Sequence, residues 1–287
     1  MPRSLTHRLA TSPWVVAAVN GRPRTGDAEL RAAVTGRTVL VTGASFGIGE
    51  ATARQLAEAG AKVLLVARTA DRLHELAAEL GAHPYPCDLT DYDAAADLAG
   101  RILYEHGPPD VLLNNAGKSI RRSVADAAER FHDYERTIAI NYLAPVRLSL
   151  ALLPAMRERG SGHLVNLSTS GVRGLPAAPG WSAYQASKAA FDVWSRSVAQ
   201  EVRADGIAST SIYMGLVKTR MSAPNFRSTP GLTPEQAGAL VCDAIVRRPR
   251  TAGPPWVPIA DVFANGLMRG TSEKVLTRAF LRRELSR

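Results

Sequence analysis

Between Arg37 and Tyr213 short apolar runs alternate with helical stretches in strict succession, and this alternation constrains the fold more than any other feature. The runs are Arg37–Gly43, Lys62–Ala67, His83–Cys87, Asp110–Asn114, His163–Ser168 and Ile207–Tyr213. Most are rich in Val, Leu and Ile, as strands buried on both faces are. The helical patterns between them run from the first strand to Ala59, where Gly60 ends the first, then over 70–80, 91–106, 126–157 and 182–204. Neighbouring parallel strands need a crossover, and a right-handed helix supplies it. The pattern therefore predicts an α/β fold: one doubly wound parallel sheet with helices on both faces.

The length of 287 residues, 46% of them hydrophobic, suits one large domain with extensions. Residues 1–35, punctuated by Pro13, Gly21, Pro23 and Gly26, read as an irregular arm. Residues 36–250 form the domain, ending on a helical pattern at Thr233–Arg247, and 251–287 form a helical C-terminal extension after Pro249, Pro254, Pro255 and Pro258. The extension mixes Val262, Phe263, Leu267, Met268, Val275, Leu276, Phe280 and Leu281 with Arg269, Lys274, Arg278, Arg282 and Arg283. It reads either as a cap over a substrate cleft or as a segment for peripheral membrane or partner contact.

Several classes are not expected. No apolar run reaches the roughly 20 residues of a spanning helix. Thr11, Ser12 and Pro13 interrupt the stretch Arg8–Ala18, so a signal peptide is not expected. Cys87 and Cys242 have no metal or redox spacing, which predicts a cytoplasmic protein without disulfides or metal. The charge of +9 comes from scattered arginines without a nucleic-acid motif, so no nucleic acid is expected as a partner.

The chemistry is concentrated in two places. Thr42-Gly-Ala-Ser-Phe-Gly-Ile-Gly49 follows a strand and opens a helix. Glycines there let the backbone approach a pyrophosphate, and the helix N-terminus offers N–H donors. At the end of the second strand, Val66-Ala-Arg-Thr69 lacks the acid that would bind the ribose hydroxyls of NAD. Arg68 offers a guanidinium suited to the 2′-phosphate of NADP. Asp88 either accepts from an adenine amino group or caps a helix. Further along, Tyr184-Gln-Ala-Ser-Lys188 places two side chains on one helix face. A phenol near pKa 10 is a poor acid–base catalyst at neutral pH, and a neighbouring ammonium lowers that value.

These pieces resemble the short-chain dehydrogenase/reductase family over roughly residues 36–250: Thr42–Gly49, Asp88-Leu89, Asn114–Gly117, Asn141, Asn166–Ser170, Tyr184–Lys188 and Gly215–Thr219. The resemblance implies NADP bound by Gly43, Ser45, Phe46, Gly47, Ile48, Gly49, Arg68, Asp88, Leu89, Asn115, Ala116, Gly117, Tyr184, Lys188, Val217 and Thr219. It implies Tyr184 as proton donor, Lys188 as its modulator and ribose ligand, Asn141 as holder of a relay water, and Val217 and Thr219 as contacts of the nicotinamide amide. It also implies a homodimer or homotetramer. Two departures stand out. The run Asn166-Leu-Ser-Thr-Ser170 leaves either Thr169 or Ser170 to orient the carbonyl, with strand anchoring favouring Thr169. Tyr213-Met-Gly215 stands where the family has Pro-Gly, which predicts a looser loop over the nicotinamide.

A narrower resemblance, to the reductase domain of bacterial fatty acyl-CoA reductases, rests on Asn114–Ser123, Arg130–Thr137, Leu216–Pro224, Leu232–Ala237 and Ala244–Pro249. It implies NADPH-dependent reduction of a hydrophobic carbonyl substrate, a fatty aldehyde or acyl chain. The alternatives are a β-ketoacyl, polyketide or polycyclic alcohol reductase, or a catalytically idle NADP-binding protein. Arg121 and Arg122 follow the Asn-Ala-Gly turn; they read as ion pairs with Asp126, Asp133 or Glu135, or as ligands of a carrier phosphate.

Overall fold

Successive residues of a strand point to opposite faces, and in the central strands both faces are apolar. Val39 and Val41 of β1 (Thr38–Thr42), Val63 and Leu65 of β2 (Lys62–Ala67), and Val111 and Leu113 of β4 (Val111–Asn114) share one core. Leu40, Leu64, Val66 and Leu112 face the other. With β3 (His83–Pro86), β5 (Gly162–Thr169), β6 (Ile207–Met214) and β7 (Thr251–Ala252) they form a seven-stranded sheet in the order β3-β2-β1-β4-β5-β6-β7, every pair parallel. The computed structural model describes residues 21–173, 177–226, 228–257, 259 and 262–284. The doubly wound α/β sheet is as expected.

The helices divide between the two faces. On the first lie α1 (Asp27–Val34), α2 (Gly47–Glu58), α3 (Ala70–Leu80) and, from later in the chain, a helix over Pro234–Arg247, contributing Val34, Leu56, Leu73, Leu76, Val241 and Ile245. The opposite core takes Leu98 and Ile102 from α4 (Tyr92–His106). Local chemistry sets several helix ends: Asp91 accepts from the Asp93 and Ala94 amides at the start of α4, and Gly81 ends α3 in the left-handed conformation.

The expected helical stretch 126–157 is interrupted. It consists of α5 (Val124–Ala127), α6 (His132–Ile138), a π-helical turn at Ala139–Leu143 and α7 (Ala144–Arg159). From His132 to Arg159 the helix is continuous over 28 residues and is long and apolar enough to cross a membrane by length and composition, although Arg147 divides its apolar stretch. Its Leu148, Leu152, Leu153 and Met156 lie in the sheet's second core with α4. The chain then continues through β5 to α8 (Ser182–Glu201), β6, α9 (Ala223–Phe226), α10 (Pro234–Arg247), β7 and α11 (Arg269–Glu284).

The flanks also differ from the reading. Residues 1–20 of the expected arm lie outside the described residues, but Asp27–Val34 is helical and buries Leu30 and Val34. Asp243 of α10 accepts from the Arg24 and Thr25 amides, both at 2.8 Å, and pins the approach to α1. The strand Thr251–Ala252, beyond residue 250, was not anticipated; two residues carry too little pattern to read. The extension is helical as expected, preceded by a π-helical turn at Val262–Leu267. Val262, Phe263, Leu267, Met268 and Val275 are exposed rather than turned into a cleft, while the side chains of Arg269, Leu276, Phe280, Leu281, Arg282 and Arg283 lie outside the described residues.

Candidate active site

The strand order reverses between β1 and β4, where crossovers leave in opposite directions and open a crevice at the carboxyl ends. Thr42 closes its floor: its hydroxyl donates to the Leu113 carbonyl at 3.0 Å and accepts from the Asn115 and Ala116 amides at 3.0 and 3.1 Å. Asn115 answers by donating through Nδ2 to the Thr42 and Gly43 carbonyls at 2.8 and 3.2 Å. The glycines are enforced by this closeness. A Cβ on Gly43 would lie 2.8 Å from Asn115 Nδ2 and 2.9 Å from Ala116 Cα; on Gly49 it would lie 2.3 Å from the Gly43 carbonyl oxygen. Gly43 and Gly47 have φ of 66° and 63°, the left-handed region. Ser45 has a buried hydroxyl without a hydrogen-bond partner among the described residues, while Phe46 is exposed at the helix start. Ile48 packs against the first core and Leu89 is buried in the second.

Arg68 stands at the end of β2 with its guanidinium 3.7 Å from Asp88, and both side chains are open to solvent. Asp88 also accepts from the Thr90 amide and hydroxyl at 3.0 and 2.7 Å. Burial alone would raise its carboxyl, but the Thr90 bonds and Arg68 hold it below the usual carboxylate range. The N-cap of α4 is Asp91, so the helix-cap reading of Asp88 does not hold.

Across the crevice, α8 delivers Tyr184 and Lys188. Lys188 is buried, donates to the Leu167 carbonyl at 2.8 Å, and is pushed down to about 8 by burial. Tyr184 is partly open at its surface, yet dense protein around it pushes the phenol up; Thr169's hydroxyl, close by, partly offsets that. The expectation of a lowered tyrosine is therefore corrected for the free protein: desolvation outweighs any stabilisation of the phenolate. Thr169 sits at the end of β5 and takes the Gly171 amide at 3.2 Å. Ser170 continues the ladder by donating its amide to Met214, and no described contact joins its hydroxyl to Tyr184.

Asn141 occupies the π-helical turn, a distortion common at functional sites. Its side chain accepts from the Lys118 amide at 2.8 Å and donates to the Lys118 carbonyl and the Ser187 hydroxyl at 2.8 and 2.9 Å. A Cβ on Gly117 would lie 2.9 Å from Asn141 Oδ1 and 3.5 Å from Lys188 Nζ, so these three residues converge.

The loop after β6 pairs with the chain at Leu232. Val217 bridges Leu232, and the Lys218 and Leu232 amides donate to the Leu232 and Leu216 carbonyls at 2.8 and 2.9 Å. Thr219 Cγ2 would lie 3.1 Å from a Cβ on Gly47, which brings Val217–Thr219 over the glycine turn. Arg122 is ion-paired, as one reading anticipated: Nε lies 2.7 Å from buried Asp133, joined there by Arg130 at 3.2 Å. Arg121 lies over the Trp181 ring, 6.0 Å from its centroid.

Residues 37–229 match the family model for short chain dehydrogenases. The chain belongs to the short-chain dehydrogenase/reductase family. It is 44% identical over 273 residues to an uncharacterized oxidoreductase of Mycobacterium tuberculosis, covering 92% of this chain and 77% of that one. It is 47% identical over 231 residues to a fatty acyl-CoA reductase of Acinetobacter baylyi, covering 78% of each. A metagenomic short-chain oxidoreductase solved in complex with NADP superposes with a TM-score of 0.65 at 31% identity, covering 75% of this chain and 92% of that one. As a member of this family the protein is an NAD(P)-dependent oxidoreductase.

The crevice fits such a dinucleotide on its own geometry. Gly43, Gly47 and Gly49 leave backbone where side chains would block an approach, and Ser45 leaves a buried hydroxyl to be satisfied. Thr42 and Ser187 lie within the two motifs, but the roles of their side chains were not anticipated. Thr42 was signalled by its place at a strand end before glycine. Nothing local tied Ser187 to Asn141, 46 positions away.

Proposed function

We propose that this reductase uses NADPH to reduce the carbonyl of a fatty aldehyde or acyl chain. The carrying observation is the placement of Tyr184, Thr169 and Lys188 across one crevice from the Gly43–Gly49 turn. NADPH, when held by the Gly43–Gly49 turn and Lys188, would supply the hydride that the carbonyl carbon accepts. Tyr184 donates its phenolic proton to the carbonyl oxygen. Burial keeps that proton in place at neutral pH, the state an acid requires. Thr169, rather than Ser170, donates a second hydrogen bond to the same oxygen, so charge developing there meets two hydroxyls. Lys188 stabilises the phenolate left behind and holds the ribose. Asn141, locked to Lys118 and Ser187, would hold the relay water through which a solvent proton returns to Tyr184. The substrate class rests on the likeness to the A. baylyi fatty acyl-CoA reductase.

The deciding experiment is NADPH oxidation with aldehydes of graded chain length, acyl-CoA thioesters, β-ketoacyl esters and polycyclic ketones. Turnover of long aldehydes or thioesters above the others supports the reading. Preference for β-ketoacyl or polycyclic substrates replaces it, and no turnover with measurable NADPH binding favours an idle binding protein.

Preference for NADP rests on Arg68 and the absence of an acid at the end of β2. Its guanidinium is held by one loose pair with Asp88, so it can turn to a phosphate at little cost. Arg68→Ala should raise the KM for NADPH by about 10- to 100-fold, the effect of losing a charged hydrogen bond. KM for NADH should change by less than about threefold; equal changes with both cofactors would remove Arg68 from the phosphate site.

A further inference from the structure

Trp181, at the N-terminal end of α8, is not used by the chemistry above, yet it joins Tyr184 to the segment that leaves β6. Its ring meets Tyr184 edge-on, with centroids 6.0 Å apart and planes at 63°. It stacks on Phe226 with centroids 5.6 Å apart and planes at 10°. Phe226 ends the short helix α9, in the segment that leaves β6. The start of that segment is fastened over the cofactor turn, where the Arg220 guanidinium lies 4.3 Å from the Phe46 centroid. Among the described residues, the hydrogen bonds of 219–226 remain within 217–229: Ser222 to Val217 and Thr219, Ala223 to Thr219, Asn225 and Phe226 to Ser222, and Thr229 to Phe226. The segment thus spans from the glycine turn to the start of α8, and its distant anchors include one ring contact at each side.

We propose that the face of Trp181 is the subsite for the substrate's hydrocarbon chain, and that Phe226 covers this face until a chain takes its place. The proposal rests on the carbonyl-reductase reading for its direction. A tryptophan face is broad, rigid and apolar, and little but apolar contact holds a stacked phenyl ring on it. A row of methylenes supplies the same kind of contact and can therefore replace Phe226; a short or polar substrate cannot. Because Trp181 also abuts Tyr184, a chain lying on it starts beside the carbonyl that receives the Tyr184 proton. The ligand class that fits is an unbranched aliphatic carbonyl compound.

The test compares wild type, Trp181→Ala, Trp181→Phe and Phe226→Ala with butanal and dodecanal at saturating NADPH, and follows tryptophan emission as 1-dodecanol is added. Trp181→Ala should lose about tenfold or more in kcat/KM for dodecanal, mainly through KM, and less than about threefold for butanal. Two methylenes leaving an apolar surface, at roughly fourfold each, already produce that difference. Trp181→Phe should restore most of it. Phe226→Ala keeps the contact between Trp181 and Tyr184, so it guards against simple misplacement of the acid; it should keep or improve dodecanal KM because no cover must move. Dodecanol should change the emission of wild type and not that of Trp181→Phe. Equal losses on both aldehydes in Trp181→Ala, or an emission indifferent to dodecanol, would overturn the subsite. A wild type that turns over no aldehyde but whose Trp181 emission responds to dodecanol would remove the carbonyl-reductase reading and leave the subsite standing.

Discussion

Tyr184→Phe should fold, bind NADPH and fail to turn over, with kcat/KM for an aldehyde reduced by about 10²- to 10⁴-fold, the usual contribution of a positioned acid. That is roughly 3–5 kcal/mol of transition-state stabilisation. The substitution removes one oxygen from a ring that keeps its contact with Trp181, so the fold has little reason to change. Loss within tenfold would assign the proton to another group. The pH profile gives an independent check. Tyr184 is raised by burial and stays protonated through the neutral and mildly alkaline range, so it supplies no falling limb there. Lys188 is pushed down to about 8 by burial and loses its charge as pH rises through that value. Reduction should therefore decline above about pH 8 in kcat/KM, which reports the free enzyme. The sign for stability is opposite. From about 8 to the ordinary 10.5 the unfolded chain holds the Lys188 proton that the folded chain has released, so this group's contribution to stability rises with pH across that window.

Gly49→Ala should abolish dinucleotide binding. The added Cβ would stand 2.3 Å from the Gly43 carbonyl oxygen and 2.6 Å from Asn115 Nδ2. Neither neighbour yields easily. The carbonyl belongs to a turn at φ 66°, and Asn115 is held by bonds to Thr42 and Gly43. Overpacking of this kind costs about 1–3 kcal/mol in stability, occasionally more. The larger effect falls on the cofactor, because relieving the clash pushes α2 away from the turn whose amides face the crevice. NADPH affinity by calorimetry should fall by at least about 100-fold, with a lower Tm. Gly100→Ala, an exposed mid-helix position whose Cβ meets nothing within 4 Å, is the control and should leave NADPH affinity unchanged while keeping or slightly raising Tm. NADPH binding within a few-fold of wild type in Gly49→Ala would mean that this turn is not the dinucleotide site.

The parts of this protein legible in sequence are those whose signal is local and repeated. The unbroken apolar runs, such as Val39, Leu40 and Val41, repeated in β2 and β4, read as strands buried on both faces, and crossover helices follow from parallel pairing. Tyr184 and Lys188 are one helical turn apart, so their shared face is a property of five residues of chain. Tertiary structure alone decided the rest, because each outcome depends on groups far apart in sequence. That the Thr169 hydroxyl lies beside Tyr184 depends on how the end of β5 meets a helix that begins at Ser182. The direction of the Tyr184 shift is set by packing density, which no spacing of residues records. Asp27–Val34 is helical because Leu30 and Val34 find a core shared with α10, despite Gly21, Pro23 and Gly26 just before it. Arg122 was one of two adjacent arginines until the fold set it against buried Asp133 and left Arg121 over Trp181. The stack of Trp181 on Phe226 joins two loops through contact alone, and contact between distant segments is the information a linear pattern does not carry.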